Sequence, residues 1–194
     1  MRVRRILRWD RSDQYALEIT LWLVPFLGAL ALLGPLRNAL RGGPLAVSAP
    51  LPESVVRAAG VRDVTGTVTL PDAALGQHLL AMLPLALTIL LVTVAVVLLL
   101  GVARGLRRGD PFQPANVTRL RLLGLLIALG GIGAQWVRDT TRNTLLDGVA
   151  LAGYAMPIAL EIQLWPVLAG ALVAFLSEVY ARGARLRDDV EGMV

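Results

Sequence analysis

Apolar positions along the chain gather into four stretches separated by polar segments. The first lies between Glu18 and Arg37, the second between His78 and Arg104, and the third between Arg121 and Arg138. The fourth follows Asp147 and runs up to Glu178. The second is the strongest, since Leu79 to Ala103 carries no charge over 25 residues. As a helix it is ~37 Å long, enough to cross a ~30 Å hydrocarbon core with tilt. The third holds 16 uncharged residues, ~24 Å by the same rise. Arg121 and Arg138 close the shortfall by burying their stems and sending their guanidinium groups to the interfaces. The pattern predicts an all-α integral membrane protein: a four-transmembrane-helix bundle with a small extracytoplasmic loop containing short β structure. Spans are expected over 18–36, 78–103, 119–138 and 157–180. Between them fall a cytoplasmic amino-terminal segment 1–17, extracytoplasmic loops 37–77 and 139–156, a cytoplasmic loop 104–118 and a cytoplasmic tail 181–194. The first span begins after nearly twenty residues, is followed by Arg37 and Arg41, and ends in no A-x-A-like site. It reads as a retained anchor, not a cleaved signal.

Composition agrees with a bilayer environment. Hydrophobic residues are 56% of the chain, charged residues 17%, and the mean hydropathy is +0.65, outside ordinary soluble composition. Cysteine and lysine are both absent. That excludes disulfides, thiolate chemistry, cysteine-ligated metals, Schiff bases and a P-loop lysine. Thirteen of the 19 basic residues fall on one side of the predicted topology: Arg2, Arg4, Arg5, Arg8 and Arg11, then Arg104, Arg107, Arg108, Arg119 and Arg121, then Arg182, Arg185 and Arg187. The six opposite are Arg37, Arg41, Arg57, Arg62, Arg138 and Arg142. Positive-inside asymmetry therefore places both termini and the middle loop in the cytoplasm. Trp9, Tyr15, Trp22 and Tyr180 then fall at the inner interface, and Trp136, Tyr154 and Trp165 at the outer. The net charge of +5 follows from topology and anionic lipid headgroups. No recognition helix suggests direct nucleic-acid binding.

The residues carry no enzyme signature: no H-E-x-x-H, G-x-S-x-G or Walker motif. No catalytic, cofactor or metal residue is expected, and the single histidine, His78, reads as interfacial. Glu18, Gln135, Glu161 and Glu178 all fall near span boundaries, so no midplane charge points to proton-coupled transport. Thr88 and Thr93 leave a hydroxyl-lined channel open. Gly130-Gly131-Ile132-Gly133 lies inside the third span. Gly124 with Ala128, Gly130 with Ala134, and Gly170 with Ala174 have the small-xxx-small spacing of helix contact seams, within the bundle or toward a homo- or hetero-oligomer. Pro25, Pro84 and Pro166 permit kinks.

In the first outer loop Gly42-Gly43-Pro44 and Ala49-Pro50-Leu51-Pro52 are breakers, while Val64, Thr67, Val68 and Thr69 favour strand until Pro71. A small β-hairpin or an extended cap is expected, either a sensor ectodomain or a packing lid. Asp139-Thr140-Thr141-Arg142-Asn143 reads as surface turn chemistry ahead of a cation site. Around the inner loop, Gly109, Pro111 and Pro114 support a chain reversal. Asn116 caps the next helix, or Pro114 marks its first turn. Phe112 either plugs the bundle from below or is presented to a partner. The pairs Glu178/Arg182, Arg185/Asp189 and Arg187/Glu191 are spaced i,i+4 and predict a tail helix, with a break at Gly183. Asp188, Asp189 and Glu191 form either a solvated helix end or a latch to the loop arginines.

Gly109-Asp110-Pro111-Phe112, then Asn116, Arg119-Leu120-Arg121 and Gly124, resemble the G-x-P-F…N…R-L-R…G pattern of a bacterial family called domain of unknown function 2975. The ending is similar too: Phe175, Glu178-Val179, Arg182-Gly183, Leu186, Asp188-Asp189-Val190-Glu191-Gly192 and Val194. The resemblance implies four spans, a long first outer loop and no established activity. Such proteins look as if encoded beside a small helix-turn-helix regulator, which implies a membrane partner or sensor for one. The candidate partner-binding or latch residues are then Arg107, Arg108, Gly109, Asp110, Pro111, Phe112, Asn116, Arg119, Arg121, Glu178, Arg182, Gly183, Asp188, Asp189 and Glu191. Their expected partner is a cytoplasmic regulatory protein, beside the lipid bilayer itself. A small transporter, channel or immunity-type protein, and an accessory subunit of a larger membrane complex, are the alternatives.

Overall fold

The computed structural model describes residues 11–50, 65–107, 113–147, 149–151, 154–155 and 163–191. Helix α1 (Arg11–Ala31) is followed by the short α2 (Leu33–Leu40), then strands β1 (Leu45–Pro50) and β2 (Thr65–Leu70). Two long helices come next, α3 (Leu75–Arg107) and α4 (Pro114–Leu146). Strands β3 (Ala150–Leu151) and β4 (Tyr154–Ala155) pair before the final helix α5 (Trp165–Glu191). Among the described residues three segments are long and apolar enough to cross a membrane: Glu18–Leu40, Leu75–Gly105 and Pro114–Leu146. In α5 the uncharged run Trp165 to Ser177 spans ~20 Å before Glu178.

The helices pack chiefly on their neighbours, α1 on α3, α3 on α4, and α4 on α5. Between α4 and α5 the backbones nearly touch. A Cβ added at Gly124 would lie 2.8 Å from the Gly170 carbonyl, and one at Gly170 would lie 2.7 Å from the Ala128 Cβ. Two of the small-residue seams therefore face each other inside the chain, leaving neither Gly124 nor Gly170 open to a second molecule. Gly130 faces Leu91 of α3, and only Gly133 on that stretch of α4 meets open space. Away from these contacts the helices present large apolar side chains outward, with Leu172 and Phe175 each 67% exposed. A continuous apolar surface of this kind calls for lipid around it.

The apolar core cluster sits at one end, under the β1–β2 hairpin. The antiparallel register sets Leu45 opposite Leu70 and Val47 opposite Val68. Leu45, Val47 and Ala49 turn inward onto Leu145 and Leu146 of α4, with Leu80 and Ala81 of α3 alongside. Ala46, Ser48, Thr67 and Thr69 alternate outward, as the pleat requires. Gly42 enters the hairpin at φ +62°, a left-handed conformation that favours glycine. His78, 2% exposed, donates from Nε2 to the Gly43 carbonyl at 3.1 Å and ties the start of α3 to this turn.

Four local expectations change. Residues 139–143 are helical, not a turn, because α4 continues to Leu146 to bury Leu145 and Leu146 under the sheet. Within that extension Asp139, 5% exposed, pairs with Arg142 at 3.2 Å. The first apolar stretch is interrupted at Leu32 while α1 runs through Pro25. Pro35 explains the interruption: it sits in the first turn of α2, and in a continuous helix its ring would clash with the Ala31 carbonyl. Pro166 is the second residue of α5, where a missing N–H costs nothing, so it kinks no helix; residues 157–162 of the expected fourth span lie outside the described residues. Finally, α5 passes through Gly183 unbroken; a glycine costs a helix interior only ~1 kcal/mol.

Candidate functional site

The end of the molecule opposite the hairpin holds most of the described candidate residues. Pro114 opens α4, and Gln113 before it makes no side-chain cap. Asn116 is therefore the third helical residue and not the cap. Its side chain is fully buried and turned toward α3. Arg119 reaches the same place, donating from Nη1 to the Gly101 carbonyl at 2.9 Å and to Asn116 Oδ1 at 3.1 Å. Two glycines one turn apart on α3 make the room. A Cβ at Gly101 would lie 2.7 Å from Arg119 Nε, and one at Gly105 would collide with the Asn116 amide. The guanidinium thus adds a charge-assisted hydrogen bond to a carbonyl at a helix–helix contact. Asn116 and Arg119 clamp the α3–α4 joint from inside.

Beside this clamp the surface residues form a chain. Arg121 of α4 lies 3.6 Å from Glu178 of α5, and Glu178 also meets Arg182 at 3.5 Å. All three are at least 43% exposed, so in water each link is worth at most ~1 kcal/mol. Their importance is positional: they join the start of α4 to the tail half of α5. Arg104 and Arg185 are exposed as well, and Gly183 is half-buried on α5. Residues Arg108, Gly109, Asp110, Pro111 and Phe112 lie outside the described residues, and so do the side chains of Arg107, Asp188, Asp189 and Glu191.

A family model described as "Protein of unknown function (DUF2975)" matches residues 58–194. The chain belongs to that family. The DUF2975 match takes in β2, α3, α4 and α5, with the Asn116–Arg119 clamp and the Arg121–Glu178 pair inside it. No curated protein and no solved structure matches the chain.

Elsewhere in this DUF2975 protein, the Thr88 and Thr93 hydroxyls donate back to the carbonyls of Pro84 and Ile89, at 2.8 and 2.7 Å. Val96, Leu100, Leu120 and Leu123 are buried between α3 and α4 toward the arginine end. Toward the hairpin the two helices leave a cleft at Thr88 and Arg138. Among the described residues no three histidine or carboxylate groups gather closely enough to hold a metal ion. Sequence reasoning missed the cleft because residues 139–143 read as a turn. The usable signal was the spacing Arg138, Thr141, Arg142 and Leu145, which is one helical face.

Proposed function

We propose that this protein is a non-enzymatic, four-crossing membrane protein that engages a cytoplasmic regulatory protein through its α3–α4 joint and the tail of α5. The observation that carries the reading is the Arg121–Glu178–Arg182 chain, which joins loop-side and tail-side residues into one exposed charged surface. The buried clamp beneath it supports the same reading, since a rigid joint preorganises a docking surface. The fourth crossing is α5 with the apolar stretch before it. Its exposed Leu168, Leu172, Phe175 and Leu176 and its antiparallel packing on α4 support that reading. Arginine asymmetry supports a cytoplasmic placing of both termini and of this surface.

The test is site-specific photo-crosslinking in living cells from Arg185, with Leu172 as the lipid-facing control. The reading expects a defined protein adduct at 185 and none at 172, lost when Arg182→Glu or Phe112→Ala is added. Adducts unchanged by both substitutions would remove it.

A further inference from the structure

Two neighbouring cavities between α3 and α4 share Thr88 and Arg138 in their linings. One, of about 430 Å³, lies beneath β1, and its polar lining is Ser48, Thr88, Arg138, Thr141 and Arg142. The other, of about 290 Å³, has an apolar stretch between Leu91, Val92, Ala95, Leu126 and Ile127, and Gln135 and Gln163 also line it beside Trp165. Together they fall within the ~300–1,000 Å³ of typical small-molecule sites. Among the described residues no carboxylate lines either cavity. Asp139 answers Arg142 at 3.2 Å, whereas Arg138 has no carboxylate within ion-pair distance among the described residues. The cleft therefore has a cationic, hydroxyl-bearing end and an apolar end.

We propose that the joined cleft binds one phospholipid with an anionic headgroup, its phosphate on Arg138 and an acyl chain in the apolar cavity. Charge selects the head. A guanidinium offers paired donors to phosphate oxygens, and the Thr141 hydroxyl adds a neutral one. The apolar half selects an amphiphile over a free anion, because inorganic phosphate would leave the Leu91–Ile127 cavity unfilled. Depth agrees as well. Arg138 is 17 residues along α4 from Arg121, ~26 Å, so the two arginines bracket nearly a hydrocarbon thickness. That sets Arg138 at headgroup level and Ile127 at acyl level. The roof is β1, so an occupied cleft would brace the hairpin against α4. This inference does not depend on the docking surface at the opposite end.

Native mass spectrometry of the full chain released from detergent tests it, with thermal unfolding in parallel. The probes are phosphatidylglycerol, phosphatidylcholine and glycerol 3-phosphate. Wild-type protein should retain phosphatidylglycerol about tenfold better than phosphatidylcholine, with glycerol 3-phosphate giving no thermal shift. Arg138→Gln, at an exposed position, should abolish the preference between the two lipids. Ala95→Phe, which fills the apolar cavity, should lower retention of both. A series of phosphatidylglycerols of decreasing chain length should weaken retention in the same way without any substitution. Equal retention of the two lipids by wild type, or a preference surviving in Arg138→Gln, would overturn the proposal. So would stabilisation by glycerol 3-phosphate equal to that by the lipid, which would mark a free-anion site.

Discussion

The backbone contact between α4 and α5 gives the sharpest stability prediction. In Gly170→Ala the new Cβ would lie 2.7 Å from the Ala128 Cβ and 2.9 Å from the Ala128 nitrogen. Favourable carbon contacts are ~3.5–4.0 Å, so α4 and α5 must part by about 1 Å. Neither opposing atom is the tip of a flexible side chain that could swing away. Overpacking of this kind costs about 1–3 kcal/mol, offset by up to ~1 kcal/mol of improved helix propensity. The net expectation is a loss of about 1–2 kcal/mol. Gly133 on α4 is the internal control, because nothing lies within 4 Å of its added Cβ. Gly133→Ala should gain about 0.5–1 kcal/mol from reduced backbone entropy alone. At roughly 2–4 °C per kcal/mol for a chain of this size, the two variants should differ by several degrees in midpoint, with opposite signs. Far-UV circular dichroism melts in one detergent would read this out. Equal shifts in the same direction would refute the claim that backbone contact at Gly170 holds α5 to α4.

Three further outcomes follow from particular side chains. Arg119→Leu removes the donor to Gly101 and Asn116 and should cost about 1.5–3 kcal/mol, seen as a lower unfolding midpoint; Arg119→Lys should recover only part, lacking the planar fork. His78→Leu removes the bond to Gly43 and should leave the turn carbonyl unsatisfied at about 1–3 kcal/mol, read as faster hydrogen exchange across Leu45–Ala49. Glu178→Gln should change stability by no more than ~1 kcal/mol. That small difference should vanish in 1 M salt, where the screening length is ~3 Å.

The long apolar runs made α3 and most of α4 legible directly, because a 25-residue uncharged stretch has few alternatives to a membrane helix. Strand preference likewise marked Thr65–Leu70, but not its partner. Leu45–Pro50 contains alanines, a serine and a proline, and it pairs because Leu45, Val47 and Ala49 find Leu145 and Leu146. Helix α4 overran its expected end for the same reason: Thr140, Thr141 and Asn143 favour turns locally, and burial at Leu145 and Leu146 outweighs them. Pro35 carries the local signal for the break at Leu32, whereas α1 runs through Pro25. In the motif region the residue types were visible but their direction was not. Asn116 and Arg119 face inward because Gly101 and Gly105 leave space, and that pairing lies more than ten residues away in sequence. The seams at Gly124 and Gly170 were legible as contact surfaces; only the fold says that each is the other's partner.

Cysteine labelling bears most directly on the central claim of a lipid-embedded chain with its arginine-rich end in the cytoplasm. The chain has no native cysteine, so single cysteines report without background. With a membrane-impermeant maleimide on intact cells, Thr67→Cys in the hairpin should label at once. Arg185→Cys in the tail should label only after permeabilisation. Labelling of Arg185→Cys in intact cells, or protection of Thr67→Cys until the membrane is opened, would contradict the account.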